Sequence, residues 1–129
     1  MVLETLFFLS GTNKLNIRSN HMEVNKYQLL AYTTANKELS PFNQLRNAAY
    51  GLNGEAGEVI DILKKHEFQG HNLDTDALVK ELGDVAWYLA LACTAMGITM
   101  SDVLERNIDK LHKRYPEGFD ANKSIHREE

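Results

Sequence analysis

At 129 residues, with 43% hydrophobic and 25% charged side chains, the chain has the size and composition of one globular domain with its own core, which excludes a multidomain organisation. A formal charge of −4 and a pI near 5.7 exclude broad binding to nucleic acid polymers, which needs a surplus of Lys and Arg to displace counterions; a local basic site for a small phosphate ligand remains open. The single cysteine, Cys93, excludes an internal disulfide framework, and in "YLALACTAM" it reads as a buried thiol in a reducing compartment.

The first stretch, "MVLETLFFLSGTNKLNIRSNHM", has a short apolar run, Glu4 in place of a basic leader region, and no cleavage site, so it is not read as a signal peptide. His21 and Met22 look like a cloning junction, and residues 1–21 are expected to be a vector-derived leader or a disordered extension. Regular patterning begins after Met22. A first helix is predicted over about Val24–Glu38, weakly amphipathic through Val24, Tyr27, Leu30 and Ala31. "LSPF" then starts a second, with Ser40 as cap and Pro41 at its first position, running from about Phe42 to Glu67 on Leu45, Ala48, Leu52, Ala56, Val59 and Leu63.

After the loop "FQGHNLDTD", a third helix is predicted from about Ala77 to Met96. Around "VAWYLALAC" it is apolar on every side: Leu82, Val85, Ala86, Leu89 and Cys93 make one face, while Trp87 and Leu91 fall roughly opposite. That second face is expected to be the subunit interface of a symmetric dimer, unless the first or fourth helix covers it within one chain. A fourth helix starts at Thr99 or Ser101, carries Val103, Leu104, Ile108, Leu111 and Tyr115 on its apolar side, and stops at Pro116. The domain is drawn as 22–120, with a polar, frayed tail at 121–129. No segment alternates like a strand, and short connections favour antiparallel neighbours, so the fold class is all-α: an antiparallel bundle of four main helices. The longest apolar run is shorter than the ~20 residues a membrane span needs, and a cytoplasmic protein is expected.

The chemistry-bearing pattern is acidic. Glu55 and Glu58 lie roughly 60° apart on the second helix, and Glu81 and Asp84 do the same on the third. Packed antiparallel, the two helices bring both pairs to one cleft, where the carboxylates repel unless protonated or cation-bound. All donors are hard oxygens, which selects Mg²⁺, with Mn²⁺ as a substitute, over Zn²⁺; Mg²⁺ completes its octahedron with water and phosphate, which points to phosphoester or phosphoanhydride chemistry. Gly54, Gly57 and Gly83 among these acids suit close helix approach or room for ions, at a cost of ~1 kcal/mol each against Ala. Acidic residues three apart are also common on solvated helix faces, and Asp61, Asp74, Asp76 and Asp102 are read that way.

Taken together, "GLNGEAGEVIDILKK", "KELGDVAWYLALACTAMGI" and "NIDKLHKRYPEGF" make the chain resemble the MazG-type all-α nucleoside triphosphate pyrophosphohydrolases over about Tyr27–Phe119. The resemblance implies a homodimer or homotetramer that cleaves the α–β phosphoanhydride of a nucleoside triphosphate to monophosphate and pyrophosphate, a role in nucleotide-pool sanitation. By motif position it implies Glu55, Glu58, Glu81 and Asp84 as Mg²⁺ ligands, with Glu55 or Glu58 activating water. Several relatives carry a further acid just before the first glutamate, where this chain has Gly54. No glycine-rich phosphate loop of the Walker type is present.

On the fourth helix, Asn107, Lys110 and Arg114 form a polar stripe that either reaches the β- and γ-phosphates or is a solvated face with Arg106 and Lys113; the resemblance favours substrate binding for Asn107 and Lys110, and Arg114 also suits the helix C-terminus. Trp87, Tyr88, Tyr50 and Phe42 are candidates for stacking on a base, although aromatics at helical spacing are more often core. His66 and His71 suit a helix end or solvent better than a metal. The alternatives are a phosphoribosyl-ATP pyrophosphohydrolase-like enzyme and a noncatalytic helical adaptor. A carboxylate-bridged di-iron protein would need paired Glu-x-x-His motifs, to which only Asp109 and His112 come near.

Overall fold

The computed structural model describes residues 21–126, so residues 1–20 of the expected leader and the last three residues of the expected tail lie outside the described part. Among the described residues the chain is all-helical, with no strand: α1 (Val24–Tyr32), α2 (Pro41–Gln69), α3 (Thr75–Ala95), α4 (Met100–Arg114) and α5 (Ala121–Ile125). No single described helix is long and apolar enough to cross a membrane.

The ends follow local chemistry. Ser40 accepts from Asn43 N–H ahead of Pro41, Asp74 from Ala77 N–H and Thr99 from Asp102 N–H, so α2, α3 and α4 each begin on a side-chain cap. Gly70 stops α2 in the left-handed conformation at φ 73°, which a residue without Cβ adopts at no steric cost. α1 ends at Tyr32, six residues short of the predicted Glu38. There Thr33 and Thr34 donate their hydroxyls back to the carbonyls of Leu30 and Ala31, at 2.6 and 2.8 Å, offering the backbone an alternative to further helix. The tail also differs from expectation: Asp120 accepts from the Asn122 and Lys123 amides and starts α5.

α2 and α3 are the principal pair. Gly51 of α2 lies against the Tyr88 ring of α3, and one turn on, Glu55 meets Asp84 and Glu81, a register that runs the two helices antiparallel. A methyl at Gly51 would land inside the Tyr88 ring, so that glycine sets how closely the pair approaches. α1 and α4 pack with α3 at its other side, around Ala31, Ala90, Cys93 and Met100, with Tyr27, Trp87, Ile98 and Val103 packed on them. α4 leaves α3 at 102° instead of folding back along it.

Trp87 and Leu91 are where the single chain differs from the expected interface. Leu91 is buried, and the Trp87 indole N–H donates to Ala31 O at 3.2 Å and Thr34 Oγ1 at 2.8 Å, so this side of α3 is covered from within the chain. The bare apolar surface lies elsewhere, on Phe42, Ile60 and Leu63 of α2, Val79 and Leu82 of α3, and Leu104, Ile108 and Leu111 of α4.

A buried amide joins the pieces. Gln28 donates through Nε2 to Thr94 Oγ1 and Ile98 O and accepts from the Met100 N–H at 2.8 Å, tying α1 to the turn between α3 and α4. Removing it strands the Met100 N–H in the core, at a cost of about 1–3 kcal/mol. Gln28→Leu is therefore expected to lower the unfolding free energy by that much, read as a lower urea midpoint at unchanged slope, and an unchanged midpoint would show that the amide does not hold the turn.

Candidate active site

Glu55 sits on the side of α2 turned toward α3, in line with Ala48 and Ile62 at ~100° per residue, so its carboxylate projects into the seam. α3 answers with Glu81 and Asp84 on adjacent positions of one face. Each of the three can offer an oxygen within 4.8 Å of the others; Glu55 and Glu81 are half-buried and Asp84 is exposed, so the group opens at its Asp84 side. The electrostatic consequence falls on Glu55. Its carboxyl is pushed above the ordinary range first by loss of water, then by the negative charges of Asp84 and Glu81, a hydrogen bond with Glu81, and the charge of Glu58.

Glu58 is exposed and stands outside this group of three, near enough to raise Glu55 through its charge. Asp61, one turn further along α2, pairs with both Lys64 and Lys65 at 2.5 Å, and these two ammonium groups hold its carboxyl down at about 2. Lys65 in turn is raised chiefly by Asp61 and more weakly by Glu58. It is a cation at the border of the acidic group that sequence reading passed over. The signal was present in its spacing, four residues after Asp61 and seven after Glu58, which puts all three on one flank of α2.

Tyr27 of α1 also reaches the acids. Its hydroxyl donates to the carbonyl of Gly83, between Glu81 and Asp84, at 3.5 Å, and burial together with the charge of Asp84 pushes the phenol's pKa up.

The other sequence-derived residues lie apart from this centre. Asn107 and Lys110 are exposed on α4, Arg114 is half-buried with its guanidinium 6.0 Å from the Tyr115 ring, and no hydrogen bond or ion pair among the described residues ties them to the carboxylates. Trp87 is committed to α1 and meets Tyr88 edge-on, ring centres 5.0 Å apart. Tyr50 and Phe42 are exposed on α2. His66 closes the end of α2 against His71 O at 2.8 Å.

Chemically the centre is a hard-oxygen pocket with excess negative charge, and none of the ion pairs among the described residues involves Glu55, Glu81 or Asp84. A divalent cation of the Mg²⁺ or Mn²⁺ class fits this donor set and removes the repulsion that raises Glu55. Soft or nitrogen donors for zinc are missing from the group of three.

The family model for the MazG nucleotide pyrophosphohydrolase domain matches residues 43–119, a span that holds Glu55, Glu58, Glu81, Asp84, Asn107, Lys110 and Arg114. The chain is 34% identical over 105 residues to the "Gene 37 protein" of Mycobacterium phage L5, covering 75% of this chain and 92% of that protein. No solved structure matches.

The raised proton affinity of Glu55 has a stability signature in metal-free protein. A carboxyl whose folded pKa lies above its unfolded value holds its proton more tightly in the fold, so stability falls as pH rises from the unfolded pKa through the folded one. In the presence of chelator the melting temperature is expected to drop across that window above the ordinary carboxylate range, and Glu55→Gln is expected to flatten the drop and melt higher at neutral pH. A wild-type melt that ignores pH there would mean the three acids do not repel. Mg²⁺ is expected to raise the wild-type melt at neutral pH and to do much less for Glu55→Gln.

Proposed function

Because the chain belongs to the MazG nucleotide pyrophosphohydrolase family, we propose that it hydrolyses the α–β phosphoanhydride of a nucleoside or deoxynucleoside triphosphate to the monophosphate and pyrophosphate, with Mg²⁺. The observation that carries this reading is the convergence of Glu55, Glu81 and Asp84 across the α2–α3 seam. These three would hold the cation, which when bound supplies charge neutralisation, polarises the phosphate and makes a water more acidic.

The chain's own residues divide the remaining work. Glu58 is adjacent to the group but outside it and solvent-exposed, which leaves its carboxylate free to take the proton of the attacking water. The water oxygen bonds to the α-phosphorus, the bridging oxygen leaves with pyrophosphate, and the proton stays on Glu58 until solvent removes it. Lys65, held in place by Asp61, borders the same flank and offers charge to the departing phosphates. Asn107, Lys110 and Arg114 are proposed as further phosphate contacts from α4, and Trp87 as a wall of the base pocket through its edge contact with Tyr88. The bare apolar side chains on α2, α3 and α4 support a homodimer or homotetramer. Removal of noncanonical or surplus nucleotides in the cytoplasm is the role this activity would serve.

Three measurements test the reading. Product analysis over a panel of ribo- and deoxynucleoside triphosphates is expected to give monophosphate and pyrophosphate with Mg²⁺ and nothing with chelator; release of inorganic phosphate alone would exclude the bond assigned. Asp84→Asn and Glu58→Gln are each expected to lower kcat by about 100-fold or more, in line with the loss of a metal ligand or a general base. Only Asp84→Asn is expected to weaken Mn²⁺ binding; equal losses in both variants would make Glu58 a ligand instead of the base.

A further inference from the structure

Among the described residues, Tyr27 makes the one hydrogen bond that reaches the Glu81–Asp84 turn from outside the α2–α3 pair. Its ring packs against the cluster of Ala31, Ala90, Cys93 and Met100, so the direction of the side chain is fixed by the core of the domain. The hydroxyl at its end is far less committed. It sits 3.5 Å from Gly83 O, at the outer limit of a hydrogen bond, and that carbonyl lies inside α3, where it already serves the helix ladder.

The hydroxyl also lies within electrostatic reach of the acidic group, on its Asp84 side. Asp84 is the exposed member of the three, and it is the charged residue whose field reaches the phenol. A phosphate brought to this side meets carboxylates, which accept hydrogen bonds and cannot donate them, so on this side its anionic oxygens need a donor beyond the cations proposed above. A phenol supplies one proton to give without adding charge, and a bond to an ionised oxygen forms at about 2.5–2.7 Å and is roughly twice as strong as a neutral one. Exchanging the long contact to Gly83 O for such a bond is therefore favourable and needs only rotation of the O–H about the Cζ–O bond, with the ring left in place.

We propose that Tyr27 is a substrate-contacting residue, whose hydroxyl turns from the Gly83 carbonyl to donate a hydrogen bond to a nonbridging phosphate oxygen of the nucleotide held at Glu55, Glu81 and Asp84. The assignment rests on the nucleotide reading above. It gives α1, which the acidic motif does not include, a direct part in the site.

The test compares the wild-type chain with Tyr27→Phe, which keeps the ring and removes only the hydroxyl. Three quantities are read: binding of α,β-methylene ribo- and deoxynucleoside triphosphates with Mg²⁺ by calorimetry, Mn²⁺ affinity without nucleotide, and the melting temperature. Tyr27→Phe is expected to weaken analogue binding about tenfold, the scale of one charge-assisted hydrogen bond, while Mn²⁺ affinity and the melt stay as in the wild type. Equal analogue affinity in the two chains would overturn the assignment. So would a loss of Mn²⁺ affinity in step with the analogue, because the hydroxyl would then act as a prop for the α3 turn. Failure of the wild-type chain itself to bind any analogue would overturn the nucleotide reading and this assignment with it, an outcome distinct from the other two.

Discussion

The carboxylate of Glu55 points into the seam between two packed helices, and much of the surrounding structure is arranged around that placement. A charge there loses water on one side and faces Glu81 and Asp84 on the other, so its environment favours the protonated form. Such an arrangement costs stability in the empty site. The same geometry is what a divalent cation requires: oxygens from two rigid elements, close together, with few protein ligands and room left for water and phosphate. In the proposed reading, the stability lost to this repulsion would return as affinity for the ion.

Rigid presentation of the acids depends on the α2–α3 approach. Gly51 lets Tyr88 lie against the α2 backbone one turn from Glu55, and the capped ends at Ser40, Asp74 and Gly70 fix the lengths of the two helices and the loop between them. α1 then braces α3 from the opposite side through Trp87, and Gln28 fastens the α3–α4 turn to the same helix. The acids therefore lie on a helix packed on two sides, one side forming the centre and the other held by a polar network that excludes slippage. A site built on helices instead of loops keeps its ligands in register.

Among the described residues few large apolar side chains are buried: the covered ones are mostly small, with Leu91 and Met100 the largest apolar ones. Much larger groups on α2, α3 and α4 remain in contact with water, Phe42 and Val79 with more than two thirds of their surface. Surface of this kind is characteristic of chains that complete their core with another copy. Because α4 diverges from α3 at 102°, its amphipathic face is presented outward and not consumed inside the chain. The fold thus carries its acidic group in the α2–α3 seam and leaves bare apolar side chains on α2, α3 and α4.

The helical class, the four main helices and the identity of the acids were legible in the sequence because each depends on local spacing: apolar residues at three and four, Ser40–Pro41 and Gly70 at helix ends, carboxylates three apart. The family match covers residues 43–119, the stretch in which these motifs lie. The sequence did not decide which of two apolar sides of α3 would be covered. That depended on α1 ending at Thr33 and Thr34 and offering the Ala31 carbonyl to Trp87, a contact between residues 56 apart. Nor could spacing place Tyr27 beside Gly83, separate Glu58 from the other three acids, or turn α4 away at 102°. Periodicity fixes what lies on one helix; contacts between helices depend on crossing angles and side-chain reach, which only the packed chain determines.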